Sequence, residues 1–110
     1  MAKLRNLPQI CPVPMESLIK SKKNQIVSMA LSDSDHVQVS LFTFADKETV
    51  SEEEYFGDTM YLVVEGETLI TKGATVYELK TGDVLCVPAH ILHSIGGKGA
   101  FKVLQITLNE

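Results

Sequence analysis

From Asn24 onward the chain alternates short apolar runs with polar turns, and the alternation has the period of strands rather than helices. Gln25 to Leu31 carries Ile26, Val27, Met29 and Leu31, and Ser32-Asp33-Ser34-Asp35 follows as a turn. His36 to Phe44 sets Val37, Val39 and Leu41 on one side and His36, Gln38 and Ser40 on the other. Phe42 and Phe44 then make the second side apolar, as in a strand covered on both faces. An acidic stretch from Asp46 to Asp58 separates this strand from the next, Met60 to Val64. Glu65-Gly66-Glu67 reads as a turn, Thr68 to Thr71 as a strand, and Lys72-Gly73 as a hairpin turn. Thr75 to Leu79, Val84 to Val87, Ile91 to Ile95 and Phe101 to Leu108 complete the series, with Pro88 ending one of them. Before Asn24, Pro8, Pro12 and Pro14 interrupt any regular element, and Met15 to Ile19 has room for a helical turn or two.

Eight or nine short strands without a long helix predict an all-β barrel or sandwich. The expected organisation is an N-terminal arm over residues 1–23 and one barrel domain over residues 24–110. A chain of 110 residues with 45% hydrophobic and 22% charged residues sustains one core, which argues against disorder. The formal net charge of −4 works against nucleic acid or an anionic membrane as partner. Lys20, Lys22 and Lys23 form the one basic cluster and read as a solvated turn. No apolar run of secretory length opens the sequence, and Cys11 and Cys86 lie far apart, so a cytoplasmic protein with reduced thiols is expected. Within Val84 to Val87, Cys86 reads as a small buried hydrophobe.

Two segments resemble the paired signature of the cupin superfamily. Gly82-Asp83-Val84-Leu85-Cys86-Val87-Pro88-Ala89-His90-Ile91-Leu92-His93 matches its second motif at Gly82, Pro88 and His93, with His90 in place of an inner glycine. Gly66 matches the glycine that closes the first motif. Counting back from it sets Glu53 and Tyr55 on the two histidine positions and Thr59 on the glutamate position, while a longer spacing would use Glu52 and Glu54. The resemblance covers about Ile26 to Leu108 and is nearest to small single-domain bacterial cupins. It implies a jelly-roll barrel with a pocket at one end and a homodimer.

On that register Glu53, Tyr55, Thr59 and His93 line the pocket, with Ser51 also facing inward. His93 and Glu53 are the remaining metal-ligand candidates, and a divalent metal is the cofactor the family implies. Three of its four ligand positions hold other residue types, which degrades the usual site. Phe42, Phe44, Met60, Tyr61 and Phe101 read as core or dimer contacts, Asp58 as a turn former, and His36 and His90 as surface residues. Two functions stay open at this point. One is a protein that binds a small molecule in the barrel. The other is an enzyme of dioxygenase, isomerase or epimerase type, metal-dependent or acid–base, that uses His93 and Glu53.

Overall fold

The computed structural model describes residues 3–109; Met1, Ala2 and Glu110, which end the two expected segments, lie outside the described residues. Eight strands follow one another: β1 (Ile26–Asp33), β2 (Val37–Phe44), β3 (Thr49–Glu53), β4 (Thr59–Lys72), β5 (Thr75–Lys80), β6 (Val84–Val87), β7 (His93–Gly96) and β8 (Phe101–Leu108). Among the described residues the one helical element is a 3-10 turn at Met15–Leu18. Every strand pairing is antiparallel. The hydrogen-bonded order is β1-β2-β8-β4-β7-β3, with β5 and β6 also joined to β4. The sheet curls into the expected all-β barrel.

The barrel is organised by β4. Its first half pairs with β8 on one side and β6 on the other, and its second half pairs with β5 and β7. A turn is therefore not what Glu65-Gly66-Glu67 forms. The strand runs on through it and corners there, with a register shift between Val63 and Glu65 and a φ of 86° at Gly66. A Cβ on Gly66 would sit 2.6 Å from the carbonyl oxygen of Ala100, so the corner needs both the positive φ and the missing side chain. A bulge with a glycine lets one strand serve two sheets without breaking its ladder.

Two apolar layers explain why β2 is hydrophobic on both faces. Inside the barrel, Phe44, Tyr61, Val63, Ile70, Leu79, Val87, Ile95, Phe101 and Val103 form one buried cluster. Phe44 and Phe101 stack there, with ring centroids 4.5 Å apart. Outside it, Leu31 and Leu41 pack with Ile19, and Leu7, Met15 and Leu18 from the N-terminal arm complete the cover. Burial at about 25 cal/mol per Å² makes this arm part of the fold's stability rather than an appendage.

Four expectations need correcting. The acidic stretch contains a strand, β3, held by β7 rather than by its own composition. Predicted from Ile91, β7 starts at His93, and Ile91 and Leu92 are left exposed in the preceding turn. The turn predicted at Ser32–Asp35 begins later, because β1 continues to Asp33 through a register shift between Ala30 and Ser32. Cys86 is exposed, since alternation along β6 turns Val87 inward and Cys86 outward.

Candidate functional site

The inner faces of β2, β3, β4, β7 and β8 converge on a cavity of about 80 Å³. Its deep end is walled by Phe44, Tyr61, Ile95 and Val103, all buried, and its outer end by half-buried Phe42, Val50, Glu53, Tyr55 and Gln105. Strand register puts these groups together. Tyr61 of β4 lies opposite Gln105 of β8, Phe42 of β2 opposite Val103 of β8, and Val50 of β3 opposite Ile95 of β7.

Glu53 reaches the cavity because β3 is irregular. Val50 pairs with Ile95 and Glu53 with His93, so one residue too many lies between them, and Glu52 absorbs the excess with a φ of 58°. Strict alternation would put Ser51, Glu53 and Tyr55 on one face. The bulge instead sets Val50, Glu53 and Tyr55 toward the cavity and leaves Ser51 exposed, which corrects the inward placement of Ser51.

His93 is 4% exposed and packs against the Tyr61 ring at 5.7 Å and the Tyr55 ring at 6.0 Å between centroids. Its Nδ1 lies 2.9 Å from the carbonyl oxygen of Ile91, an atom that only accepts, so Nδ1 carries the proton. In the neutral ring Nε2 is then the acceptor for the Tyr61 hydroxyl, 2.7 Å away. Both ring nitrogens are engaged, and the imidazole packs against two tyrosines of the cavity wall without lining the cavity itself.

Burial is the main cause that pushes the Tyr61 phenol far above its ordinary value of 10.0, with Tyr55 and the Glu53 carboxylate adding to it. The Tyr55 phenol is raised as well, chiefly by burial; the Gln105 side chain beside it opposes this, and the Glu53 carboxylate reinforces it. Both tyrosines therefore stay protonated at neutral pH.

Of the four pocket residues expected from sequence, Glu53 and Tyr55 line the cavity, and His93 packs against Tyr55 and Tyr61 without lining it. Thr59 is buried on the same face of β4, but its hydroxyl is paired with that of Thr107 at 3.1 Å and it does not line the cavity. Phe44 and Tyr61, read from sequence as core or dimer contacts, belong to the buried core with Phe42 packed against it, and all three also wall the cavity. The signal for Tyr61 was present, since it stands two residues from Thr59 on one strand face, and Gln105 is a polar residue between inward Val103 and Thr107. Asp58 ties down a distant turn, accepting the Ala89 N–H at 2.9 Å. His90 is exposed with a φ of 64°, filling the glycine position of the motif. An open depression of about 450 Å³ on the outer surface involves His36, Phe56, Asp58 and Leu108, and lies apart from this cluster.

The residues do not fit a divalent metal. A transition-metal site needs three or four converging donors. Here the imidazole has both nitrogens in use and Thr59 is spent on Thr107. Among the described residues no three His, Cys, Asp or Glu side chains are placed to share an ion.

An antiparallel barrel bent about one long strand, with polar side chains gathered at its hollow end, is the architecture of a cupin. A solved cupin superfamily protein from Desulfitobacterium hafniense is 58% identical, with a TM-score of 0.95 over 98% of this chain and 99% of that one. The chain belongs to the cupin superfamily. A Streptococcus pyogenes protein of unknown function shares the fold at 19% identity, TM-score 0.93, over 100% of this chain and 96% of that one. A cupin 2 conserved barrel domain protein from Leptotrichia buccalis does so at 24% identity, TM-score 0.88, over 97% of this chain and 51% of that one. No protein-family model matches the chain, and no curated protein does.

Proposed function

We propose that this cupin binds a small organic molecule in the hollow end of its barrel without a metal ion. The observation that carries the reading is the cavity itself: apolar walls onto which Glu53, Tyr55, Tyr61 and Gln105 bring a few polar groups. At about 80 Å³ it has the volume of roughly two to three water molecules, far below a drug-sized pocket, so the ligand is compact. Thermal unfolding of the protein with a panel of small amines, alcohols and acids tests the reading. A ligand that enters raises the midpoint in a saturable way, because it binds only the folded state. Val50→Phe, which fills the outer end, removes that response. A filled variant that responds as fully as the parent would refute the proposal, as would a panel that leaves the native midpoint unmoved.

An acid–base enzyme is the second reading, favoured by Glu53 and His93 facing each other across the β3–β7 pair. Its weakness is that His93 does not line the cavity and lies against Tyr55 and Tyr61, two phenols that burial keeps protonated. Glu53 is then the group left to move a proton, and Glu53→Gln abolishes any turnover if this reading holds.

We also propose a homodimer in the cytoplasm. The ends of the sheet, β1 and β3, are edges, and the arm carries Leu4 and Ile10 at 70% and 94% exposure. Light scattering behind a sizing column reads the assembly directly, and a monomer at micromolar concentration rejects it.

A further inference from the structure

The inference rests on the cavity reading above and concerns what the cavity selects. Its polar lining joins acceptors on Glu53 and Tyr61 to the Tyr55 hydroxyl and the Gln105 amide, which donate as well as accept. In the neutral His93 ring, with its proton held on Nδ1 by the Ile91 carbonyl, the Tyr61 hydroxyl donates to Nε2 and its oxygen keeps lone pairs for a ligand. The Glu53 carboxylate adds further acceptors and the only formal charge on the lining. Among the described residues Glu53 has no ion-pair partner. Four aromatic rings, Phe42, Phe44, Tyr55 and Tyr61, wall the same space.

The unpaired carboxylate and the Tyr61 lone pairs favour a ligand that donates hydrogen bonds and carries positive charge. We propose that the cavity takes a small alkylammonium ion, a protonated primary or secondary amine whose N–H groups meet Glu53 and the Tyr61 oxygen. The aromatic walls favour the cation through their ring quadrupoles. Burying its charge is balanced by the carboxylate, and its short alkyl chain fits among Phe44, Ile95 and Val103. A carboxylate ligand would instead meet the like charge of Glu53, and an alcohol brings no charge to balance that carboxylate.

Ethylammonium, ethanol and formate are matched probes in size and differ in charge and donors. Each is titrated into the ¹⁵N-labelled full chain at neutral pH and constant ionic strength, with amide shifts followed by NMR. Ethylammonium alone moves the amides of Val50, Tyr55 and Ile95 to saturation. In Glu53→Gln, a near-isosteric change at a half-buried position that preserves the remaining spectrum, that binding weakens by about tenfold or more. Equal or tighter binding of ethanol or formate overturns the ammonium assignment and leaves the pocket standing. Undiminished ethylammonium binding by Glu53→Gln overturns it too. If no probe moves those amides, the cavity reading fails together with it.

Discussion

At the scale of single residues, the Tyr61–His93 bond is the contact on which the site turns. Both groups are nearly inaccessible, at 2% and 4% exposure, so neither can exchange its partner for water. Tyr61→Phe removes the donor and leaves Nε2 buried and unpaired, which is expected to cost about 1–3 kcal/mol in urea unfolding. His93→Leu removes the acceptor. Because the two changes break the same bond, the double variant should lose less than the sum, with a coupling of about 0.5–3 kcal/mol. Strict additivity would show that the bond contributes nothing.

At the scale of elements, the site depends on one irregular residue in β3. Glu52 is exposed and holds a left-handed conformation that an ordinary side chain adopts at a cost of about 1–3 kcal/mol. Glu52→Gly is therefore expected to match or exceed the parent in stability. Glu52→Val, whose branched side chain suits that conformation worst, should destabilise by about 1–2 kcal/mol and weaken ligand binding by displacing Glu53. A valine variant as stable as the glycine variant would mean that β3 runs without the bulge. The corner of β4 works by the same logic on a larger scale, with Gly66 supplying what Glu52 supplies in β3.

At the scale of the whole molecule, the two buried phenols link stability to alkaline pH. Below about pH 10 the folded and unfolded chains both keep these protons, so the phenols add no slope. Above it the unfolded chain releases protons that the fold retains, because the folded values of Tyr55 and Tyr61 are raised. The unfolded state then binds fewer protons than the native one, and unfolding free energy falls as pH rises. Urea midpoints should drop steadily from about pH 10 upward, and Tyr61→Phe should drop along a shallower line. Parallel lines for the two proteins would contradict the burial argument.

The sequence by itself determined the barrel. Period-two alternation, turn residues and the Gly82, Pro88 and His93 motif are local, and each leaves its mark within a few neighbouring positions. That local reading also carried Glu53 and Tyr55 to the cavity. Tertiary structure alone decided which side chains share the interior and how their protons are arranged. A bulge shifts parity by one residue without any compositional sign, so Ser51 and Val50 exchanged roles. The engagement of His93 by Tyr61 and Ile91 joins residues whose proximity follows from the pairing of β3, β4 and β7, and that pairing withdrew the imidazole from metal chemistry. Strand partners are chosen by the packing of the whole sheet, and so is the hydrogen-bond polarity of the cavity they enclose.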